Sequence, residues 1–259
     1  MAEKMTAPKV RSMKGERIVC VTAYDAPSAR MADAAGVDVV LIGDSLGNAV
    51  LGYQNTLPVT LEQMVHHTSA AAAGCEFALL VADLPFGTYQ SSPSQAVDSA
   101  VMLVKAGAEA VKLEGSYTDA IEAIVRAGIP VMGHVGMTPQ SVNAFGGFRV
   151  QGRGDRAEMV VQAAKAVEEA GVFSMVLEVI PGVVAKRVTA SVGVPTIGIG
   201  AGLDCDGEIQ VWHDVLGIST ESFKHAKPFL EGNRLITEAL KSYAEAVRNR
   251  TFPGDENTF

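Results

Sequence analysis

The sequence predicts a (β/α)8 barrel, and three observations carry that prediction. First, a unit recurs in which a helix stops at Ala-Gly or its equivalent and an apolar, often β-branched run follows: AAGVDVVLIGDS (34–45), AAGCEFALLVADLPFG (72–87), KAGAEAVKLEGS (105–116), RAGIPVMGHVGM (126–137) and EAGVFSMVLEVI (169–180). Such alternation implies a parallel sheet with helices outside it. Second, the strand-length runs number eight, the count that closes a barrel. Third, the main alternative, a doubly wound open sheet, lacks its Gly-rich dinucleotide fingerprint, because the first strand runs into Ala-Tyr-Asp-Ala-Pro. The Gly-rich GIGAG at 198–202 is followed by neither a basic residue nor a capping helix that would make it a phosphate cradle.

In chain order, an N-terminal arm forms a short helix closing the barrel floor, and strands are expected at 18–25, 37–44, 77–83, 110–114, 130–135, 174–179, 195–199 and 209–215. Runs such as VDVVLI and FALLVA are apolar throughout, as strands covered on both faces must be. Gly36, Gly74, Gly107, Gly128 and Gly171 stand where a helix ends in a left-handed residue. Thr60-x-x-Gln63, Ser92-Pro93-x-Gln95 and Asp155-x-x-Glu158 read as helix N-terminal capping boxes or close variants. Residues 222–249 read as a closing helical region, with Lys241, Arg248 and Arg250 near its end where cations suit the helix dipole. The expectation is one barrel domain over residues 1–259.

Composition narrows the ligand class. Of the 259 residues, 48% are hydrophobic and 19% charged, enough burial to offset chain entropy, so disorder is excluded as the main state. With 21 Lys+Arg against 29 Asp+Glu, the net charge of −8 leaves no basic face for phosphates, which argues against nucleic acid and for small molecules. Cys20, Cys75 and Cys205 show no C-x-x-C spacing, so a disulfide framework or cysteine-built zinc site is not indicated. The opening MAEKMTAPKVRSMKGER has no signal-peptide core, and no apolar run approaches the ~18 residues of a membrane span. A cytoplasmic protein is expected.

In a barrel the chemistry sits at the carboxyl ends of the strands. There stand Asp44-Ser45, Asp83, Lys112 with Glu114, His134, and Glu178. One polar strand end merely meets water, but four acids on four strands converge on one space. Two carboxylates ~5 Å apart repel by roughly 3 kcal/mol at an effective dielectric of ~20, so the cluster needs cations. Lys112 supplies one charge. Asp44, Asp83 and Glu114 are hard oxygen donors suited to Mg²⁺, with Mn²⁺ or Co²⁺ able to substitute. A 2-oxo acid could chelate such an ion, which would act as a Lewis acid on its ketone. Glu178, on its own strand, is then free to be the base.

The stretch VTAYDAPSARMADAAGVDVVLIGDSLGNAVLGYQNTLPVTLEQMVHHTSA, continued by ADLPFGTYQ, AVKLEGS, IPVMGHVGMTPQ, GAGLDCDGEIQVWHDVLG and FPGDENTF, resembles the ketopantoate hydroxymethyltransferase family over nearly the whole chain. The resemblance implies a barrel of the phosphoenolpyruvate/pyruvate superfamily type. It implies an Mg²⁺-dependent transfer of a one-carbon unit from 5,10-methylenetetrahydrofolate to 3-methyl-2-oxobutanoate, giving 2-dehydropantoate in pantothenate biosynthesis. Carried over by position, Asp44, Asp83 and Glu114 hold the metal, in part through water. Ser45 and Lys112, with Asp44 and Asp83, contact the oxo acid, and Glu178 takes the proton from C3. His134 would support these groups by hydrogen bonding. A homo-oligomer, often a decamer, is also implied.

Three rivals stay open on sequence. A class I aldolase would use Lys112 as a Schiff-base amine, although nearby acids keep that amine protonated. A C–C or C–P lyase of the isocitrate-lyase or phosphonopyruvate type shares the AYDA-x-SAR opening, but such lyases usually carry a reactive-cysteine loop, where this chain has Gly133-His134-Val135-Gly136. A non-catalytic barrel would be expected to lose some of Asp44, Asp83, Lys112, Glu114 and Glu178, and all five are present.

Overall fold

In the computed structural model, which describes residues 3–219, 221 and 223–259, the chain forms two compact units, Met1–Val211 and Trp212–Phe259. Among the described residues of the first, eight parallel strands close in sequence order: β1 (Ile18–Thr22), β2 (Val39–Ile42), β3 (Leu79–Asp83), β4 (Ala110–Lys112), β5 (Val131–Gly136), β6 (Ser174–Glu178), β7 (Thr196–Ile199) and β8 (Gly207–Gln210). The helices of this unit are α1 (Ala7–Ser12), α2 (Ala26–Ala34), α3 (Leu46–Ala49), α4 (Leu61–Ala72), α5 (Pro93–Lys105), α6 (Thr118–Arg126), α7 (Val142–Phe145), α8 (Ala157–Glu169) and α9 (Gly182–Ser191).

Strand periodicity builds both core and site. Every strand sends at least one side chain into a single apolar cluster, with Cys20, Leu41, Val81, Ala110, Met132, Val176, Ile197 and Ile209 among its members. Two residues further along β3, β4, β5 and β6, the same inward face carries Asp83, Lys112, His134 and Glu178. Each of these interior columns is therefore apolar below and ionisable at its carboxyl end. Below, α1 closes the floor as the sequence implies: Ala7 and Val10 join the cluster, with Met5 and Met13 packed against it. Asp206 ties this arm down, accepting from Gly15 N (2.9 Å), Lys14 Nζ (2.9 Å) and Thr196 N (2.8 Å).

The helices are set by their caps and by one apolar face each. In α6, Ile121 and Ile124 are fully buried three residues apart, each worth about 1.5–3 kcal/mol of burial. Thr60 and Gln63 form the reciprocal capping box that their spacing predicts. Ser92 caps α5 through Gln95 N, but the Gln95 side chain turns away to Gly87 O. The Asp155 box does not form. A short 3-10 turn over Gly154–Arg156 precedes α8, and Glu158 is drawn to Gln162 and Arg187 instead.

Of the five helix-ending glycines, Gly36, Gly107, Gly128 and Gly171 take φ between +78° and +112°. Gly74 does not. Its reason is close approach, since a Cβ there would stand 2.1 Å from Ala26 O.

The eighth strand is also earlier than its apolar pattern suggests. Expected at 209–215, it runs over Gly207–Gln210, in register with β1 from Ile18↔Gly207 to Val21↔Gln210. A strand that opens on Gly-Glu carries little apolar signal. The second unit begins two residues later with α10 (Trp212–Val215). Its main element, α11 (Gly232–Arg248), is shorter than the helical region expected at 222–249, whose first residue lies outside the described residues. Gly232 N donates to Leu216 O (2.9 Å), Arg234 bridges Glu231 and Glu238, and Leu240, Tyr243 and Val247 are exposed along the helix. Among the described residues no helix is long and apolar enough to cross a membrane.

Candidate active site

The upper ends of β2 to β6 hold a buried polar cluster. Asp44, Asp83, Lys112, Glu114 and His134 are all buried, while the Glu178 side chain keeps 19% exposure. Asp83 pairs with Lys112 in strand register, and Lys112 Nζ donates to Asp83 Oδ1 at 2.9 Å. The other oxygen, Asp83 Oδ2, accepts from Asp44 N at 3.0 Å. Asp44 follows Gly43 at the end of β2, and a Cβ on that glycine would stand 2.7 Å from Ser45 Oγ and 3.6 Å from Asp83 Oδ2. A side chain at position 43 would therefore collide with the Ser45 hydroxyl, and glycine lets that hydroxyl sit against the backbone beside Asp83. The Ser45 hydroxyl lies 2.9 Å from Tyr24 Oη, which accepts from Thr22 Oγ1.

His134 lies between two acids, with Nδ1 3.6 Å from Glu114 Oε1 and Nε2 3.5 Å from Glu178 Oε2. Neither separation is a formed hydrogen bond, and both ring nitrogens are buried without one. Glu178 is directed by its backbone: Met137 N donates to Glu178 O (2.8 Å), and the next residue, Val179, has φ +47°. A β-branched residue in the left-handed region costs about 1–3 kcal/mol and persists only where its surroundings hold it. Val179 N bonds Ile199 O (2.9 Å) and its carbonyl accepts from Gln151 N (3.0 Å).

Electrostatics show that the cluster is short of positive charge. Burial and the charge of Asp83 raise the Asp44 carboxyl to about 7, and burial with the charge of Asp44 holds Glu114 well above the carboxylate range. Burial also raises Glu178 to about 8, with Asp44 and Asp83 adding to the shift and Lys112 opposing it. Burial would release the Lys112 proton, but Asp83, Glu114 and Asp44 outweigh it and hold the ammonium above its ordinary value. An amine so held is a poor nucleophile, which counts against the Schiff-base rival. Burial and the charge of Lys112 push His134 well below the usual imidazole range, so its ring is neutral.

Three residues that motif reasoning gave no role complete the mouth. Gln140 Nε2 donates to Asp44 Oδ2 (2.9 Å) and Leu84 O (3.0 Å), and its backbone N–H donates to Glu114 Oε2 (2.9 Å). Buried Tyr89 donates to Gln140 Oε1 at 2.7 Å. Val179 is the third. Gln140 and Tyr89 lie inside the motifs HVGMTPQ and PFGTYQ, yet neutral polar residues in loops offer no charge pattern to mark them.

Among the described residues no three His, Cys, Asp or Glu side chains are close enough to enclose an ion unaided. The donor chemistry nevertheless fits one class of ion. Asp44, Asp83 and Glu114 are buried oxygen donors, and Mg²⁺ characteristically binds through few carboxylates while keeping several waters.

Comparison with known proteins bears on the fold and on the family. The chain resembles solved structures of phosphonopyruvate hydrolase (TM-score 0.63, 14% identity, 97% of this chain and 92% of that one). It also resembles 2,3-dimethylmalate lyase, a PEP mutase/isocitrate lyase superfamily member (TM-score 0.62, 18% identity, 98% and 91%). At these identities the likeness speaks for the fold. In sequence, it is 53% identical to 3-methyl-2-oxobutanoate hydroxymethyltransferase of Aeropyrum pernix, over 98% of this chain and 94% of that protein. It is 48% identical to the enzyme of the same name from Thermotoga maritima, over 98% and 96%. A sequence profile described as ketopantoate hydroxymethyltransferase matches residues 4–255. With the barrel and its acidic mouth, that full-length agreement makes the chain a member of the ketopantoate hydroxymethyltransferase family.

Proposed function

We propose that the barrel mouth carries out the reaction for which the family is named, hydroxymethyl transfer to 3-methyl-2-oxobutanoate, giving 2-dehydropantoate for pantothenate biosynthesis. The one-carbon unit comes from 5,10-methylenetetrahydrofolate. The observation that carries this reading is the buried set of carboxylates around Lys112, with Glu178 at its more open edge.

Asp44, Asp83 and Glu114 would hold Mg²⁺, in part through water, and when bound it supplies Lewis-acid polarisation of the oxo acid's ketone. The chain's own groups do the rest. The Lys112 ammonium and the Ser45 hydroxyl, aimed by Tyr24, take the substrate carboxylate. Glu178 removes the proton from C3, a base raised toward neutral pH being matched to such a task. Water cleaves the two C–N bonds that hold the one-carbon unit, releasing tetrahydrofolate and a formaldehyde-level carbon; C3 adds to that carbon, and its oxygen takes up the proton removed from C3 to become the hydroxyl. The exposed side of Glu178 is where the folate can approach.

On the same reading the protein works in the cytoplasm as a homo-oligomer, the decamer suggested by family resemblance. Three free thiols suit a reducing compartment, and exposed apolar side chains such as Met159, Val183 and Leu203 offer surface for subunit contacts.

The test is exchange at C3 of 3-methyl-2-oxobutanoate in D₂O, followed by proton NMR with Mg²⁺ and without folate. Wild type should exchange this proton, and Glu178→Gln should be slower by roughly 10²-fold or more. Exchange at the wild-type rate in that variant would remove Glu178 as the base.

A further inference from the structure

We propose that Gln140 is a positioning residue for the divalent cation, holding Asp44 and Glu114 with one carboxylate oxygen each tied and the other left as a donor. The inference rests on the metal reading above and deepens it.

A glutamine amide offers two N–H donors and an oxygen with two lone pairs, and here all four are used. Nε2 reaches Asp44 Oδ2 and Leu84 O, while Oε1 accepts from Tyr89 Oη and Gln90 Nε2 (3.2 Å). The orientation is fixed by chemistry, because a carboxylate and a carbonyl can only accept and so must face the NH₂ end. With the backbone N–H on Glu114 Oε2, this one residue spans two acids from separate strand ends, Asp44 after β2 and Glu114 after β4. Tyr89 locks the amide and also accepts from Glu114 N (3.2 Å). An amide can do this without competing for the cation's role, since it brings no charge into a cluster that lacks positive charge. Groups that orient metal ligands in this way typically contribute roughly 10–100-fold in metal affinity.

A purely structural Gln140 would support its loop and leave metal affinity alone, so the test reads affinity on folded protein. Mn²⁺ is titrated into metal-free wild type and Gln140→Met, without substrate, and the free ion is followed by electron paramagnetic resonance. Circular dichroism checks that the variant is folded. Methionine keeps the side-chain volume and the backbone N–H to Glu114 but removes the amide. The expected result is a Mn²⁺ Kd raised roughly 10–100-fold in the variant. Equal affinity in the two folded proteins overturns the inference. If wild type itself binds no Mn²⁺, the metal reading fails first and takes this inference with it. Should Gln140→Met fail to fold, Tyr89→Phe removes the hydroxyl that locks the amide and that also accepts from Glu114 N. A several-fold weaker Kd in that variant supports the role, and an unchanged Kd overturns it.

Discussion

His134 Nε2 stands 3.5 Å from Glu178 Oε2, within reach of a hydrogen bond that is not yet made. Held neutral, the ring has one N–H, and Glu178 and Glu114 lie on its two sides. An N–H turned toward Glu178 favours the carboxylate form and so lowers its pKa. His134→Leu should therefore reduce kcat by about 10- to 100-fold and move the acidic limb of the pH–rate profile upward. Steady-state kinetics across pH separate this from a packing defect, which would lower the rate without shifting the limb.

Wild type carries its own pH signature. Glu178 acts as a base only when ionised, and its carboxyl is raised from 4.5 to about 8 by burial and neighbouring acids. A divalent cation in the mouth offsets part of that shift. The profile of kcat/KM should rise with pH through an apparent pKa above 4.5 and no higher than about 8. A rate flat from pH 5 upward, measured at saturating Mg²⁺, would count against Glu178 as the titrating base.

Much of this was legible in the sequence because the barrel writes its period into the chain. Leu79, Val81 and Asp83 share one face, so the strand announces both its core residues and the acid that follows them. Charged residues at strand ends stand out against apolar runs, which is why Asp44, Asp83, Lys112, Glu114 and Glu178 could be named. Three kinds of feature were hidden. Gln140 and Tyr89 act through hydrogen bonds between distant loops, and Tyr89 precedes Gln140 by 51 residues. Val179 looks like an ordinary strand residue until its φ is known. The eighth strand opens on Gly207-Glu208, whose pairing comes from its neighbours and not from its own composition.

The raised carboxyls also predict how metal-free protein responds to pH. Asp44 goes from 3.8 to about 7, Glu178 from 4.5 to about 8, and Glu114 is raised as well. Folded protein thus keeps protons that the unfolded chain releases. The stability these groups contribute is fully present below their unfolded values and lost as pH rises through 7 and 8. Asp33 and Asp206 work the other way: burial opposes them, but backbone N–H groups hold both carboxyls below the usual range, so their contribution fades only in acid. At about 1.4 kcal/mol per pKa unit, and about 2–4 °C per kcal/mol, metal-free Tm should fall by roughly 10 °C between about pH 5.5 and 8. Mg²⁺ should recover most of that loss at the upper pH. A thermal melt series with and without Mg²⁺ decides it, and equal slopes in the two series would speak against a cation in the mouth.

Val179 gives the sharpest separation of stability from activity. Its left-handed φ of +47° places a β-branched residue where glycine is at ease, directly after the proposed base. Replacing it with glycine relieves about 1–3 kcal/mol of backbone strain and adds about 0.5–1 kcal/mol of unfolded-state entropy, with some loss of side-chain contact. The balance puts Val179→Gly within about 1 kcal/mol of wild type in stability, unlike a typical Val→Gly change in a barrel strand. Activity should not be spared. With the strained link relaxed, the Glu178 carboxylate samples more directions, and kcat should fall by about 10-fold or more while substrate KM changes little. Chemical denaturation and steady-state kinetics on the same preparation test both halves. A variant that is strongly destabilised, or fully active, would show that the conformation of Val179 does not set the aim of Glu178.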